Sequence, residues 1–130
     1  MLVELTNAPR PYSWGDRESL STWQRRPTAE QPEAELWLGT HTGSEASVVT
    51  PSGGEQLLSR FLAEQDLSPQ LPFLVKVLAA AKPLSIQVHP TQEQARTGFA
   101  SEELAGIDLS SPQRNYKDTS DKPEVMVAWS

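Results

Sequence analysis

The segment Pro83-Leu84-Ser85-Ile86-Gln87-Val88-His89-Pro90 carries the most specific pattern in this sequence. The six residues between the two prolines are too few for a stable helix, but they suit a β-strand. Side chains alternate between the two faces of a strand, so every second residue shares a face. The apolar face would carry Leu84, Ile86 and Val88, and the polar face would carry Ser85, Gln87 and His89. Gln87 and His89 therefore have the spacing by which one strand offers two ligands to one metal ion.

This pattern leaves two interpretations open. A half-exposed strand with an ordinary polar face would look the same, and glutamine is a weaker metal ligand than histidine or a carboxylate. A candidate carboxylate follows in Lys122-Pro123-Glu124. The apolar stretch over residues 123–129 predicts a final strand with Glu124 at its mouth, and no turn residues follow to close it. A solvated charge at the end of a strand is the alternative interpretation of Glu124.

Three other segments predict strands. Alternation in Glu35-Leu36-Trp37-Leu38-Gly39-Thr40-His41 places the two leucines on one face and Glu35, Trp37 and His41 on the other. Residues 73–78 predict a buried strand that follows Pro72, and residues 2–5 predict a short one. Residues 10–16 predict a turn-rich loop. Mostly short strands with two helices favour a mainly β fold, a barrel or sandwich of the jelly-roll kind.

Two segments predict helices. Ser52 and Glu55 have the spacing of a capping box, and apolar residues at helical spacing follow up to Glu64 or Gln65. The glycine pair between them could instead cradle a phosphate, but it lacks the Gly-Lys-Ser/Thr ending of such loops. Residues 91–104 predict a second helix with Thr91 as its N-cap, although Gly98 interrupts the pattern.

The composition narrows the function classes. The chain has 130 residues, a formal net charge of −6 and no cysteine. No basic stripe exists to bind a nucleic-acid backbone, and thiolate zinc sites, disulfides and cysteine nucleophiles are excluded. The N-terminus lacks the features of a signal peptide, and lysines and prolines interrupt the longest apolar stretch. We therefore expect a cytoplasmic protein that binds neither nucleic acid nor membrane.

Five blocks resemble, in the same order, those of the type I mannose-6-phosphate isomerases. They are Ser13-Trp14-Gly15, the block from Glu35 to His41, the block from Leu71 to Leu78, Gln87-Val88-His89-Pro90, and Lys122-Pro123-Glu124. The resemblance implies a cupin-type jelly-roll half-barrel with helical insertions. Residues 1–130 would then be the N-terminal part of the catalytic domain, incomplete without a C-terminal remainder, and about residues 91–121 would form a helical and loop insertion.

The same resemblance implies a zinc-dependent interconversion of mannose 6-phosphate and fructose 6-phosphate through an enediol. Zn²⁺ would be held by Gln87, His89 and Glu124, with a fourth ligand, a histidine, far downstream. Lys122 would handle the proton or stabilise the enediolate, and three residues would line the pocket: Trp14, Lys76 and Ser85. Glu35 and His41 are further pocket neighbours, and His41 is also a weaker candidate for the missing ligand. The expected partner is a small sugar phosphate, and the oligomeric state stays open.

Two positions depart from the family pattern, in which Asn and His precede Lys-Pro-Glu. This chain has Ser120 and Asp121 there. We expect an acidic group at position 121 to change the charge around the zinc and the pKa of Lys122. Two non-catalytic alternatives remain. The absence of the downstream histidine, arginine and lysine from these 130 residues leaves open a metal- or sugar-binding cupin fragment, and Asp121 leaves open a binding or regulatory cupin that kept the strand motif and lost the chemistry.

Overall fold

The computed structural model describes residues 2–129 and divides them into two compact units. The first unit ends at Leu84 and the second begins at Ser85. The elements of the first unit are β1 (Leu5–Thr6), α1 (Ser19–Trp23), β2 (Glu35–Leu38), β3 (Ser47–Val49), β4 (Glu55–Leu57), α2 (Leu58–Glu64) and β5 (Val75–Leu78). The second unit contains α3 (Gln92–Leu104).

The strands of the first unit form two antiparallel sheets. One sheet has the order β1-β3-β4, and the other pairs β2 with β5. In the second sheet Trp37 lies opposite Lys76, and Glu35 lies opposite Leu78. The predicted strands over residues 35–41 and 73–78 are confirmed in shorter form, and the first predicted strand overlaps β1 at Leu5. Antiparallel sheets with few helices agree with the predicted β class.

Two small apolar cores support these sheets. In the first core Leu36 of β2 packs with Leu20 and Ala79, and Leu38 and Val77 lie against them. The alternation predicted for β2 is therefore confirmed, because its leucines face this core while Glu35 and Trp37 lie on the other face. The second core is built by β3 and α2 from Ala46, Val48 and Leu58, with Leu5, Phe61, Leu62 and Leu71 around them.

The predicted burial of the strand at residues 73–78 is wrong. Val75 is 49% exposed and Leu78 is 40% exposed, so Val77 is the residue of β5 that contributes to the first core. Leu78 is exposed because it lies opposite Glu35, on the face that does not pack on the core, whereas Val75 shares the face of Val77 but is not among the residues packed against this core.

The predicted capping box at Ser52 is also wrong. Residues 50–54 form the turn of the β3–β4 hairpin, in which Gly53 has a φ of +80° and the backbone N–H of Gly54 donates to Thr50 Oγ1 at 3.0 Å. Glu55 then belongs to β4, and α2 begins at Leu58 without a side-chain cap. The residues that the pattern assigned to the start of a helix therefore form the turn and the second strand of a β-hairpin. The glycine pair lies in this turn, and α2 ends at Glu64 as predicted.

The second unit confirms the predicted helix. Helix α3 has Thr91 as its N-cap, with a full capping box in which Gln94 N donates to Thr91 Oγ1 at 3.3 Å and Thr91 N donates to Gln94 Oε1 at 2.9 Å. The helix continues through Gly98 to Leu104. Among residues 2–129, no helix has the length and apolar content that crossing a bilayer requires.

The strands predicted over residues 84–89 and 123–129 are not present. Between residues 2 and 129 neither segment has a strand partner, and their apolar side chains are exposed: Ile86 by 95%, Val88 by 89% and Val125 by 94%. Alternation in a sequence specifies which side chains share a face, but a strand also needs a neighbour for its backbone hydrogen bonds. The two segments have no such neighbour among the described residues.

Candidate active site

The outer face of the β2–β5 sheet holds a cluster of charged and aromatic side chains. Trp37 Nε1 donates a hydrogen bond of 2.5 Å to Glu35 Oε2. The ammonium of Lys76, on the facing strand, lies 4.7 Å from the centroid of the Trp37 ring and 3.8 Å from Glu35 Oε2. A cation at this distance from an indole face is attracted by its quadrupole. The predicted pocket residues Lys76 and Glu35 are therefore brought together by Trp37.

Side chains of the loop before α1 extend this cluster. The guanidinium of Arg10 lies 5.6 Å from the ring centroids of both Trp37 and Tyr12. The ring of Tyr12 in turn stacks on Trp14 at 6.0 Å. His41 contacts the Trp37 ring edge-on at 5.0 Å. Trp14, Lys76, Glu35 and His41 were predicted from the sequence, whereas Arg10 and Tyr12 were missed. The sequence did hold a clue to both residues. Arg10 and Tyr12 lie in the same loop as Trp14, and an arginine and a tyrosine can each contact an aromatic ring or a cation.

The backbone of this loop is fixed by a close approach at Gly15. A Cβ on residue 15 would lie 2.5 Å from the backbone nitrogen of Ala34. Backbone bridges join Gly15 to Ala80 and Asp16 to Glu33, and Ala81 N donates to the carbonyl oxygen of Trp14 at 2.9 Å. Glycine is therefore required at position 15 for the loop to hold Trp14 where it lies.

In the second unit, two of the three predicted metal ligands contact each other. His89 Nε2 lies 3.5 Å from Glu124 Oε2, and both side chains are partly exposed. Two atoms that bind one tetrahedral zinc at 2.0–2.2 Å lie about 3.3–3.6 Å apart. The observed distance therefore fits two ligands of one ion, and a nitrogen and a carboxylate oxygen are donors that zinc accepts.

The third predicted ligand, Gln87, has no such contact with His89 or Glu124 in the part of the chain that the structure describes. Gln87 is exposed and lies two residues before His89, outside any helix or strand. Within residues 2–129, the structure contains no group of three or more histidines, cysteines or carboxylates that could hold a metal. The second histidine, His41, belongs to the first unit, where its Nδ1 accepts a hydrogen bond of 3.0 Å from Gly43 N. Gln87 as a ligand stays a prediction.

Lys122 forms a two-point ion pair with Asp118. Lys122 Nζ donates to Asp118 Oδ1 at 2.9 Å and to Oδ2 at 2.8 Å. Hydrogen bonding from Lys122 is the main cause that holds the pKa of Asp118 below its ordinary value. A hydrogen bond from the backbone N–H of Ser120 acts in the same direction. The carboxylate that pairs with Lys122 is therefore that of Asp118. The sequence had suggested Asp121 as the acidic neighbour of Lys122. Ser120 contributes a backbone N–H to this turn, which an asparagine would also supply.

An ion-pair network around the buried side chain of Arg114 supports the segment that leads to Asp118. The side chain of Arg114 is fully buried, and it lies 3.1 Å from Glu102 Oε2 and donates to Glu103 Oε1 at 2.7 Å. Glu102 also accepts hydrogen bonds from the backbone N–H groups of Tyr116 at 2.8 Å and Asn115 at 3.1 Å. Sequence analysis missed this network, because its members looked like ordinary helix and loop charges.

These hydrogen bonds change the ionisation of Glu102. The backbone N–H of Tyr116, and then the backbone and side chain of Asn115, hold the pKa of Glu102 below its ordinary value of 4.5, against the opposing effect of burial. The nearby Arg114 acts in the same direction. A carboxylate that accepts several N–H bonds is stabilised in its charged form. Glu102 therefore holds the backbone at positions 115 and 116 as an anion.

Ser85, the remaining predicted pocket residue, is exposed at the start of the second unit. Its place in the pocket stays a prediction.

Comparison with known proteins places this chain in a family. The family model described as phosphomannose isomerase type I, catalytic domain, matches residues 2–130. The chain belongs to the type I phosphomannose isomerases. The mannose-6-phosphate isomerase of Escherichia coli (strain K12) is 40% identical over 139 residues, which cover 98% of this chain and 35% of that protein. The human mannose-6-phosphate isomerase is 35% identical over 143 residues, which cover 95% of this chain and 31% of that protein.

A solved structure from the family agrees with this assignment. The mannose 6-phosphate isomerase of Salmonella typhimurium, bound to fructose 6-phosphate and zinc, matches with a TM-score of 0.74 and 37% identity, covering 92% of this chain and 33% of that one. The sequence resemblance to type I isomerases is confirmed by these matches. The chain spans about a third of the length of the relatives that it matches.

Proposed function

We propose that this chain is part of a zinc-dependent aldose–ketose isomerase that interconverts mannose 6-phosphate and fructose 6-phosphate through an enediol. Its membership of the type I family supports the reaction, and the approach of His89 Nε2 to Glu124 Oε2 at 3.5 Å supports the metal. We also propose the cupin-type fold, with about residues 91–121 as an insertion, and a cytoplasmic location.

The proposed zinc ligands of this chain are Gln87, His89 and Glu124. A bound zinc would polarise the sugar carbonyl and stabilise negative charge that develops on oxygen. In the proposed full enzyme, a histidine beyond residue 130 would complete the set. The exposed position of Gln87 and Glu124 leaves their oxygens accessible to an ion.

The proposed roles of the other residues follow from their contacts. Lys122 would handle the proton that moves between C1 and C2, or stabilise the enediolate, and Asp118 holds its ammonium in place by two hydrogen bonds. Lys76 would bind and orient the anionic sugar phosphate from the face of Trp37. Trp14 and Ser85 would line the pocket, where an aromatic wall excludes water from the reacting carbons.

The test is an isomerase assay with added zinc on the full enzyme that contains this chain and on the chain alone, with mannose 6-phosphate as substrate and fructose 6-phosphate formation as the readout. We expect turnover by the full enzyme that is lost after metal removal and restored by added zinc. Glu124→Gln should lower both zinc content and turnover, because the amide binds the ion less well than the carboxylate. Glu55→Gln, at an exposed position on β4, is the matched control and should leave both unchanged.

Two results would count against the proposal. A zinc-loaded full enzyme without turnover would remove the catalytic claim and favour the alternative of a non-catalytic metal- or sugar-binding cupin. Zinc content that is the same in Glu124→Gln and in the unchanged chain would remove the ligand assignment.

A further inference from the structure

The structure assigns Glu35 and Trp37 a shared role: they are positioning residues that hold the ammonium of Lys76 and leave its N–H groups available to an anionic sugar. This inference rests on the proposed function, because it takes Lys76 to bind the sugar phosphate. The β2–β5 register supplies the framework, since Trp37 and Lys76 are cross-strand neighbours and Glu35 is on the same face two residues earlier.

The contacts of Glu35 explain how Lys76 is attracted without using its N–H groups in a hydrogen bond to the carboxylate. One oxygen of Glu35, Oε2, accepts the indole N–H of Trp37 at 2.5 Å, and the side chain is largely buried. The same oxygen lies 3.8 Å from Lys76 Nζ, which is beyond hydrogen-bond distance. The carboxylate therefore orients the indole ring, and its charge attracts the ammonium without accepting a hydrogen bond from it.

The contact between Lys76 and Trp37 is of a different kind. Lys76 Nζ lies 4.7 Å above the ring, where the attraction comes from the face of the indole and has little dependence on where the N–H bonds point. The ammonium can then donate its hydrogen bonds to phosphate or hydroxyl oxygens while it stays on the ring. The guanidinium of Arg10 lies 5.6 Å from the centroid of the same ring.

A nuclear magnetic resonance experiment tests this placement without any assay of activity. The chain contains four lysines, so a chain labelled in its lysine side chains gives few signals, and Lys76→Arg identifies that of Lys76. We expect the Hε protons of Lys76 to be shifted upfield by the indole ring. Trp37→Leu should remove this shift, Trp37→Phe should keep part of it, and Trp23→Leu, at an exposed tryptophan of α1, should leave it unchanged.

The second readout is the binding and turnover of mannose 6-phosphate. We expect Trp37→Leu and Glu35→Leu to lower kcat/KM by about ten- to hundredfold, since a small misplacement of a substrate-binding group is costly. Trp37→Phe should recover part of the loss. Glu35→Gln should be milder than Glu35→Leu, because its amide oxygen still accepts the indole N–H. Thermal unfolding of each variant shows whether it is folded.

The outcomes separate this inference from the proposed function. Lys76 signals without an upfield shift in the unchanged chain would overturn the positioning role even if the chain is an active isomerase. A shift that Trp37→Leu removes while mannose 6-phosphate binding and kcat/KM stay unchanged would overturn it as well. If turnover is absent but Trp37→Leu weakens mannose 6-phosphate binding relative to Trp23→Leu, the positioning role is supported and the isomerase activity alone fails.

Discussion

The ring of Tyr116 lies against the backbone of Gly98, in the middle of helix α3. A Cβ on residue 98 would be 2.4 Å from Cε2 of Tyr116, 2.5 Å from Cζ and 2.6 Å from Cδ2. Glycine lowers the intrinsic stability of a helix by about 1 kcal/mol relative to alanine, so its presence needs a reason. The reason is that it allows the ring to pack directly on the helix and brings the segment after residue 115 against α3.

Gly98→Ala should therefore destabilise the second unit, although alanine is the better helix former. The collision with Tyr116 costs about 1–3 kcal/mol, which exceeds the gain in helix propensity. Urea unfolding followed by circular dichroism measures the change. Thr97→Ala, at the exposed neighbouring position, should be neutral or stabilising.

A double substitution distinguishes the collision from an unrelated effect of alanine. In Gly98→Ala/Tyr116→Ala the added methyl group no longer meets the ring, so the two changes should be non-additive, with a combined loss smaller than the sum. Strictly additive losses would contradict the contact between residues 98 and 116.

The sequence predicted β2 and α3 well, because each carries its own local signals. Alternating leucines at 36 and 38 indicate one buried face, and Thr91 with Gln94 indicates a capped helix start. The interruption at Gly98 could be seen but not explained, because its cause is an aromatic ring from a later part of the chain. A long-range contact of this kind leaves no periodic trace in a single sequence.

The sequence was less informative where pairing decides the structure. Apolar and polar residues alternate over residues 84–89 as they do in a strand, but no described segment pairs with them. The pattern specifies which side chains would share a face of a strand. It does not specify whether a second strand is present to form the backbone hydrogen bonds. Ser52 and Glu55 predict a helix entry where the structure has the turn around Gly53, because serine and glutamate at this spacing occur in both contexts. For the site, His89 and Glu124 were suggested by resemblance to a family. Their approach to 3.5 Å depends on the fold of the second unit.

Glu102 should make the stability of the second unit fall in acid. The pKa of Glu102 lies below its ordinary value, chiefly because it accepts the backbone N–H of Tyr116. A group whose pKa is lowered in the folded state adds stability that is fully present above the unfolded value. This stability is lost as the pH falls through the folded value. Glu102→Gln should therefore lower the urea midpoint at pH 7, and the difference from the unchanged chain should shrink towards pH 3.

The control for this prediction is Glu30→Gln, which removes one negative charge at an exposed position of the first unit. A difference between Glu102→Gln and the unchanged chain that is as large at pH 3 as at pH 7 would show that the charge of Glu102 does not matter.

Gly15→Ala should disrupt the first unit. The added Cβ would meet the backbone of Ala34 at 2.5 Å and that of Glu33 at 2.6 Å, and a paired backbone cannot move aside as a flexible side chain can. We expect a loss of about 3 kcal/mol or more in the free energy of unfolding. Gly54→Ala is the control, because its nearest contact is a hydroxyl at 3.3 Å. A melting temperature that Gly15→Ala lowers no more than Gly54→Ala would refute the close approach.

Asp118→Asn should affect activity far more than stability. The ion pair with Lys122 is about half exposed, and such pairs contribute about 0.5 kcal/mol or less. The same pair fixes the Lys122 ammonium, and its loss should lower the kcat of an active enzyme by roughly tenfold or more. Glu64→Gln breaks an exposed pair of the same spacing with Arg60 and should change neither quantity by as much. Unchanged kcat in Asp118→Asn would show that Lys122 needs no such support.

Zinc should stabilise the second unit through His89. Any ligand that binds the folded chain alone raises its stability, by about 2.7 kcal/mol when present at a hundred times its dissociation constant. We expect zinc to raise the melting temperature of the unchanged chain, and His89→Ala to abolish this increase because the pair with Glu124 loses its nitrogen. His41→Ala is a matched control, since His41 belongs to the first unit and accepts a hydrogen bond from Gly43. If His41→Ala removed the zinc effect and His89→Ala retained it, the metal ligand would be His41 and the proposed site in the second unit would be wrong.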